Sequence, residues 1–340
     1  MIQRQEYLDN LIRFKDKQLI KVVTGIRRCG KSTLFELYKE YLLNNGIEKS
    51  QIISINLEDA DYMDIGDYKQ LYTLIKEKLN DEKMNYIFLD EIQRIDSFQK
   101  VVDSLYIKKN CDVYITGSNA YLLSGELATL LSGRYVEIKM LPLSFKEYSS
   151  YFDKELNKER IYVKYITESS FPYALELSSR KDIIQYLDGI YNSIILKDIM
   201  LRRKFPDLEM LQSVVRFMFD NIGNLCSTKK IADTMTSNGR KINVHTVENY
   251  LSALCDSFIL YKATRYDIKG KQYLKTGDKY YASDIGMRYY LLGNKKADDG
   301  HILENIIYLE LLRRGYEVYI GKVDSNEVDF VAINNDEISY

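Results

Sequence analysis

The first half of the chain alternates short apolar runs with longer segments of mixed polarity. Four apolar runs, at residues 19–23, 51–57, 86–89 and 112–116, have the length and composition of buried parallel strands. An amphipathic helix is predicted at residues 34–43, directly after the first run, and a polar helical segment follows the second run to about residue 83. Strands that alternate with helices in this way predict an α/β fold with a parallel sheet.

The second half of the chain predicts a different architecture. Residues 146–204 contain few helix breakers, and we interpret them as the helices of a lid. Residues 211–284 fit a winged helix, in which helices lead into two strands around a short turn. Asn243 is the predicted N-cap of the last of these helices. Apolar residues recur at helical spacing along this helix and should face the core: Val247, Leu251, Leu254 and Phe258.

A glycine-rich segment between the first predicted strand and helix carries most of the functional information. It fits the pattern G-x-x-x-x-G-K-[ST] without a mismatch. Its glycines let the backbone wrap around an anion, and the positive end of the helix dipole adds to the attraction. We expect Lys31 to reach the β- and γ-phosphates and the Ser32 hydroxyl to hold Mg²⁺. The expected nucleotide-binding residues are Gly25, Ile26, Arg27, Arg28, Cys29, Gly30, Lys31, Ser32 and Thr33.

Two adjacent carboxylates follow the third apolar run. Asp90 and Glu91 come directly after residues 86–89, and the C-terminal ends of buried parallel strands face a ligand crevice. We therefore expect Asp90 to hold Mg²⁺ through water and Glu91 to polarise the attacking water. A strand that enters a solvated turn has the same pattern. Their place after a complete phosphate-binding loop favours the catalytic interpretation.

Ser118 and Asn119 follow the fourth apolar run and are candidates for sensing the γ-phosphate. A polar side chain at the end of the strand beside Asp90 can contact that phosphate or orient the water. The sequence does not choose between the two residues. Either one also suits the N-cap of the next predicted helix, so both roles stay open.

Arg134 is a candidate for contact with the nucleotide of a neighbouring copy. It follows the end of a predicted helix, where oligomeric ATPases place an arginine that stabilises the transferred phosphoryl group. A basic residue at a helix C-terminus also complements the helix dipole, so a purely structural role is an alternative. Arg27 and Arg28 are rivals of Arg134 for direct phosphate contact.

These motifs, in their order, resemble those of prokaryotic AAA-type P-loop ATPases that carry a C-terminal domain of unknown function. The resemblance is carried by residues 20–33, 88–93, 116–119 and 133–148. That family is similar to archaeal ATPases and, more distantly, to STAND signalling NTPases. The resemblance implies an AAA+-like P-loop core with an additional strand at residues 1–145, a helical lid at 146–205, a winged helix at 206–292 and a truncated PD-(D/E)xK-like module at 293–340.

The predicted lid departs from the family in one place. Relatives usually carry two glycines before a proline that approaches the nucleotide, whereas Ser169, Ser170 and Phe171 precede Pro172 here. The resemblance still implies that Pro172 binds nucleotide, on a backbone that lacks the two glycines.

Composition excludes several other classes of protein. The chain has 340 residues, 46% hydrophobic and 29% charged, with a formal net charge of −1, which suits a globular protein of two or three domains. No apolar run has the roughly 18 residues that a membrane span needs, and the N-terminus lacks the apolar core of a signal peptide. We therefore expect no membrane segment and a cytoplasmic location. Four scattered cysteines and two histidines offer little material for a metal site or a histidine-based triad.

A local positive balance within the predicted winged helix suggests a partner. Residues 229–280 contain ten Lys and Arg against five Asp and Glu, a difference of +5 in a nearly neutral chain. Such a patch can neutralise phosphates of double-stranded DNA, but winged helices also bind proteins, so both partners stay open. The exposed candidates are Lys241, His245, Asn249, Lys269, Lys271 and Lys275.

Acidic residues near the C-terminus resemble the start of a PD-(D/E)xK nuclease. Glu304 on a predicted helix, with Glu327 and Asp329 on a later strand, has the chemistry to gather a divalent ion. The chain stops at Tyr340, before the strand on which the catalytic lysine is expected. We therefore expect a degenerate, structural module without nuclease activity, and the abrupt end suggests a fragment.

These patterns together predict an ATP-binding protein that hydrolyses ATP with Mg²⁺ and couples nucleotide state to a DNA- or protein-binding winged helix. We expect no membrane partner, and the chain is a candidate for a homo-oligomer. No Asn-Lys-x-Asp motif for guanine is present, which favours ATP over GTP. One alternative is a STAND-like switch that binds ATP or ADP with little turnover. Another is a DNA-binding module with a vestigial ATPase. The sequence leaves the partner, the rate of hydrolysis and the oligomeric state open.

Overall fold

Two five-stranded sheets organise the chain in this computed structural model, one in each of two units, Met1–Met140 and Leu141–Tyr340. The structure describes residues 2–117, 131, 133–152, 157–270, 272–293, 299–324, 326–335 and 337–340. Within these ranges, no helix combines the length and the apolar character needed to cross a membrane.

The first unit is built on a parallel sheet. Its strands are β1 (Ile20–Thr24), β2 (Ile52–Asn56), β3 (Asn85–Asp90), β4 (Cys111–Gly117) and β5 (Tyr135–Lys139). They run in the order β2–β3–β4–β1–β5, and every neighbouring pair is parallel. β4 is thus the additional strand between β1 and β3, and the predicted P-loop NTPase sheet is confirmed.

The helices of the first unit are α1 (Gln5–Arg13), α2 (Lys31–Asn44), α3 (Tyr68–Lys78) and α4 (Gln99–Tyr106), with 3-10 turns at Lys49–Gln51, Ala60–Tyr62 and Ile92–Arg94.

Helices cover both faces of this sheet. Successive residues of a strand point to opposite faces, so β3 contributes to two clusters. On one face Leu89 belongs to an apolar cluster that includes Leu71 of α3. On the other face Phe88 packs against Phe35 of α2, with ring centroids 5.1 Å apart. Every residue of β1 and β3 is buried, which explains why both strands appear in the sequence as nearly unbroken apolar runs.

A buried ion pair joins β1 and β4 near their N-terminal ends. Lys21 and Asp112 form a salt bridge, and both side chains are almost completely buried. The hydroxyl of Tyr114 donates to Asp112 Oδ2 at 2.7 Å, and the N–H of Asp16 donates to the same oxygen at 2.9 Å. These hydrogen bonds offset part of the desolvation cost of the carboxylate.

The second unit begins with helices and ends in a mixed sheet. Its helices are α5 (Phe145–Ser149), α6 (Lys158–Thr167), α7 (Arg180–Asn192), α8 (Leu201–Arg203), α9 (Leu208–Asp220), α10 (Thr228–Ser237), α11 (Val244–Asp256), α12 (Ile285–Leu292) and α13 (Asp299–Arg313). A 3-10 turn spans Pro172–Glu176, and a π-helical segment, Ser193–Met200, connects α7 to α8. Its strands are β6 (Leu260–Asp267), β7 (Gln272–Ala282), β8 (Glu317–Val323), β9 (Asn326–Asn334) and β10 (Glu337–Ser339).

The mixed sheet has the order β10–β9–β8–β6–β7, in which only β6 and β8 are parallel neighbours. The hairpin β6–β7 therefore shares one sheet with the C-terminal strands. Ala263 of β6, Tyr281 of β7 and Ile320 of β8 pack in one core cluster with Tyr308 and Leu309 of α13.

Two serines replace the glycines that the family resemblance leads one to expect, and both bind a buried aspartate. The N–H and the hydroxyl of Ser170 each donate to Asp284 Oδ2 at 2.6 Å, and the Ser169 hydroxyl donates to it at 3.3 Å. Burial raises the pKa of the Asp284 carboxyl, although the hydrogen bonds from the serines favour its charged form. A Cβ on Gly286 would lie 2.0 Å from the carbonyl oxygen of Glu168, so this contact needs glycine.

Candidate nucleotide-binding site

The loop between β1 and α2 has a backbone that requires glycine. Gly25 has φ +147°, Gly30 has φ +104° and Arg28 has φ +66°. A Cβ on Gly25 would lie 2.1 Å from the carbonyl oxygen of Met140, so no larger residue fits there. In such a loop, residues in the left-handed region alternate with residues in other conformations. Successive backbone N–H groups then point towards one side and form an anion-binding concavity.

Lys31 begins α2, and its side chain folds back across this loop. Its Nζ donates to the carbonyl oxygen of Gly25 at 3.1 Å and to that of Ile26 at 3.2 Å, and the residue is buried. Ser32 and Thr33 are exposed in the first turn of α2. The helix N-cap makes no side-chain hydrogen bond to that turn. A helix N-terminus of this kind attracts anions.

The remaining loop side chains divide into two groups. Ile26 and Cys29 are completely buried, so they can serve a ligand only through their backbone. Arg28 is exposed, and Arg27 Nη1 lies 4.0 Å from Glu58 Oε1. The two arginines are therefore the loop side chains with access to a ligand besides Lys31 and the hydroxyl residues that follow it.

Arg4, which the sequence analysis missed, contacts the loop from the start of α1. Its Nη1 donates to the carbonyl oxygen of Cys29 at 2.9 Å, and its guanidinium lies over the ring of Tyr7, 4.8 Å from the centroid. The residue is 4% exposed. No local pattern could reveal this contact, because the two partners are 25 residues apart.

Asp90 and Glu91 lie at the same edge of the sheet as the loop. The strands β1, β4 and β3 are parallel neighbours, so their C-terminal ends meet at one edge, with β1 and β3 about 10 Å apart. Thr116 of β4 pairs in register with Val23 of β1. Its hydroxyl donates to Asp90 Oδ1 and accepts from the N–H of Glu91 at 3.0 Å. Thr116 thus connects both acidic residues to the strand beside the loop.

Glu91 is held at its backbone and at its carboxylate. Its φ is +55°, and the side-chain Nε2 of Gln93 donates to its Oε2. Nearby, Arg94 Nη2 donates to Glu58 Oε1 at 3.0 Å. Neither Thr116 nor Gln93 was predicted from the sequence as a site residue. Both lie in segments that carry the family resemblance, and this position is the signal by which they could have been found.

Arg134 lies at the other edge of the sheet. Its carbonyl oxygen accepts from the N–H of Ile20, the first residue of β1, whereas the loop follows the last residue of that strand. Its guanidinium lies 3.8 Å from Asp103 and over the ring of Tyr106.

Ser118 and Asn119 fall outside the described residues. Pro172 belongs to the second unit, where it begins a 3-10 turn.

The acidic residues of the second unit surround a lysine. Lys279 Nζ lies 2.8 Å from Glu304 Oε1 and 2.7 Å from Glu327 Oε1, and the hydroxyl of Tyr281 donates to Glu304 Oε1 at 2.6 Å. Among the residues that the structure describes, no three His, Cys, Asp or Glu side chains form a potential metal site. The idea that Glu304, Glu327 and Asp329 gather an ion is therefore wrong for the described residues, because an ammonium group occupies the space between two of them.

The basic residues predicted to bind a partner are exposed where the structure describes their side chains. Lys241, His245 and Asn249 are exposed at the start of α11 and just before it. Lys269 is exposed in the β6–β7 turn but forms an ion pair with Asp324. Lys271, and the side chain of Lys275, lie outside the described part of the chain.

Comparison with known families agrees with this architecture. An AAA domain model matches residues 17–149, and a model described as a domain of unknown function (DUF8612) matches residues 159–298. An uncharacterized protein of Haemophilus influenzae is 45% identical over 345 residues, covering 100% of this chain and 86% of that protein. An uncharacterized protein of Methanocaldococcus jannaschii is 31% identical over 333 residues, covering 92% of this chain and 71% of that protein. The chain belongs to this family of AAA-domain proteins with a C-terminal domain of unknown function.

A solved structure shares the fold. The chain is similar to the Walker-type ATPase of Pyrococcus abyssi, with a TM-score of 0.59 and 15% sequence identity, over 86% of this chain and 96% of that one. The family resemblance identified from the sequence motifs is confirmed.

Proposed function

We propose that this chain binds ATP and hydrolyses it with Mg²⁺ in the cytoplasm. One observation carries the proposal: a glycine-dependent loop with Lys31 and a pair of acidic residues share one edge of a parallel sheet, joined through Thr116. Ligand crevices of parallel α/β sheets lie at this edge. Phosphate binding by a loop and helix N-terminus, beside carboxylates, is the chemistry of P-loop ATPases.

Each residue of the site has a role in the proposed reaction. The loop N–H groups and Lys31 hold the phosphates, and Glu91 takes a proton from the attacking water. Ser32 and Asp90 offer the hard oxygen ligands that Mg²⁺ prefers, and the ion, when bound, supplies charge against the developing negative charge. We also propose that Arg27 or Arg28 contacts the phosphates. Ser118 or Asn119 would sense the γ-phosphate, and Pro172 would contact the nucleotide.

We assign Arg134 to the site of a second copy of the chain. The five residues of β1 separate it from the loop of its own chain, a distance of roughly 13 Å along the strand. An arginine that cannot serve its own site can complete a neighbour's, so a homo-oligomer is the arrangement in which it would act on the transferred phosphoryl group.

We further propose that α9–α11 and the hairpin β6–β7 form a winged helix that binds double-stranded DNA or a protein. Exposed Lys241 and His245 near the start of α11 support this surface. Turnover measured with and without duplex DNA, at two salt concentrations, separates the two partners, because binding to phosphates weakens as salt rises. Stimulation by DNA that disappears at high salt favours DNA, and turnover independent of DNA favours a protein.

Turnover of ATP by Lys31→Ala and Glu91→Gln tests the main proposal. We expect Lys31→Ala to lower kcat by about 1,000-fold or more, since it removes the charge at the phosphates. Glu91→Gln should keep ATP binding and lose about 100- to 10,000-fold in kcat, because it removes only the base. Lys39→Ala, two turns further along the same helix where Lys39 pairs with Glu36, is the matched control and should hydrolyse ATP normally. Wild-type turnover by Lys31→Ala would refute the proposal, and tightly held ADP with negligible turnover in the wild type would favour a nucleotide switch.

A further inference from the structure

Gln93 makes a contact at the candidate site that stability alone does not explain. It lies two residues after Glu91, within the 3-10 turn Ile92–Arg94, and its Nε2 donates to Glu91 Oε2. Its own Oε1 is buried and has no hydrogen-bond partner among the described residues. A buried amide oxygen without a partner destabilises a fold. An apolar side chain of the same length would avoid that cost.

The orientation of this amide follows from the carboxylate beside it. If the amide were reversed, its oxygen would face the oxygens of Glu91, and two acceptors would repel each other. The nitrogen must therefore point at Glu91. The unpartnered oxygen of Gln93 is the consequence of holding that carboxylate.

The backbone of Glu91 is fixed independently of this contact. Its N–H donates to Thr116 Oγ1 at 3.0 Å, and its φ of +55° lies in the left-handed region that few residues other than glycine adopt. Glu91 is also buried. With the backbone held, the direction of the carboxylate depends on its side-chain torsions, and the hydrogen bond from Gln93 restrains them.

We propose that Gln93 is a positioning residue for ATP hydrolysis, which directs the carboxylate of Glu91 at the attacking water. The inference rests on the proposed ATPase function. In the reaction, the water gives a proton to Glu91, and its oxygen bonds to the γ-phosphorus. The bond from that phosphorus to the β,γ-bridging oxygen breaks and ADP leaves. In this role Gln93 acts through Glu91, whose carboxylate it contacts.

Two substitutions test this role in the full chain. Gln93→Met keeps the length of the side chain but removes the donor, and Gln93→Glu places a second carboxylate beside Glu91. We expect kcat to fall by about 10- to 100-fold in both variants, because a displaced Glu91 carboxylate takes the proton from the attacking water less efficiently. The Kd for ATP should stay within about threefold of the wild type, which also shows that the site is folded. Gln99→Glu, six residues further along the chain, is the control.

The comparison of kcat with the Kd for ATP separates positioning from a structural role. A structural role would weaken ATP binding and lower kcat together, whereas a positioning role lowers kcat and leaves the Kd nearly unchanged. Wild-type kcat in both variants, or a Kd that rises as much as kcat falls, would overturn the inference. If Lys31→Ala and Glu91→Gln lose turnover while the Gln93 variants do not, this inference alone fails. If all four variants match the wild type, the proposed function fails with it.

Discussion

Thr116 and Asp90 are joined across neighbouring strands: the buried hydroxyl of Thr116 donates to Asp90 Oδ1. The same oxygen of Thr116 accepts from the N–H of Glu91 at 3.0 Å. One hydroxyl group therefore sets the relative position of the two acidic residues at the edge of the sheet where the phosphate-binding loop also lies.

Thr116→Val should disrupt this edge without changing the volume of the core. Valine has the shape of threonine but no hydroxyl, so a buried carboxylate oxygen and the N–H of Glu91 both lose a partner. We expect the free energy of unfolding to fall by about 1–3 kcal/mol and ATP turnover to fall by about 10- to 100-fold. Thr116→Ser keeps the hydroxyl and should retain most of the turnover. Equal turnover in the valine and serine variants would show that the hydroxyl does not matter.

Gly25→Ala should abolish nucleotide binding, because the new Cβ would lie 2.1 Å from the carbonyl oxygen of Met140. Gly46→Ala is the matched control: Gly46 also has a positive φ, of +85°, but a Cβ there meets nothing within 4 Å. We expect Gly46→Ala to cost only about 1–2 kcal/mol of stability, from its backbone conformation. Titration with a fluorescent ATP analogue measures the difference. Normal affinity in Gly25→Ala would contradict the described loop.

Arg4→Met should weaken ATP binding although Arg4 lies outside the loop. The substitution keeps an unbranched side chain but removes the hydrogen bond to the carbonyl oxygen of Cys29. A less ordered loop loses more conformational entropy when it binds ATP, so we expect the Kd for ATP to rise by about tenfold. Arg13→Met, at the exposed end of the same helix, should bind as the wild type does. Calorimetric titration of both variants decides whether Arg4 supports the loop.

Lys279→Met should destabilise the second unit. It would leave Glu304 and Glu327 facing each other without the ammonium between them. Removing one partner of a buried ion pair costs about 3–5 kcal/mol. The control is Lys262→Met on the same hairpin, since Lys262 forms a half-exposed ion pair with Asp278 at 2.8 Å. That pair should contribute about 1 kcal/mol or less. Urea unfolding of both variants measures the two effects.

The stabilisation by Lys279 should be lost as the pH rises into the alkaline range. Desolvation lowers the pKa of Lys279, but hydrogen bonds to Glu304 and Glu327 and their charges outweigh it, so the pKa rises above its ordinary value of 10.5. A raised lysine pKa contributes stability in full below the unfolded value and loses it as pH rises through the folded value. The difference between the wild type and Lys279→Met should therefore be constant from neutral pH to about pH 10 and shrink above it. A difference that already shrinks near neutral pH would contradict this assignment.

The strands and the loop could be predicted from the sequence because their signals are local. Buried parallel strands appear as nearly unbroken apolar runs, and the glycine pattern around Lys31 predicts the loop between β1 and α2 within nine residues. The order of the strands followed from the family motifs. It could not be read from periodicity, which says nothing about which strands are neighbours.

Contacts between distant residues escaped the sequence analysis for a physical reason. The bond from Arg4 to Cys29 and the ion pair of Lys21 with Asp112 depend on the fold bringing together residues 25 and 91 positions apart. The resemblance led us to expect a catalytic lysine on a strand after Glu327, whereas the lysine that pairs with Glu304 and Glu327 is Lys279 on β7, before both acidic partners. Only the pairing of strands in the mixed sheet reveals that arrangement.

The central claim, that the loop from Gly25 to Thr33 and Asp90 together bind ATP with Mg²⁺, is tested most directly by calorimetric titration of ATP. The titration compares the wild type, Lys31→Ala and Asp90→Asn, each with and without Mg²⁺. We expect the wild type to bind more tightly with Mg²⁺, Lys31→Ala to lose binding in both conditions, and Asp90→Asn to lose the effect of Mg²⁺. Binding by Lys31→Ala that equals the wild type would contradict the account.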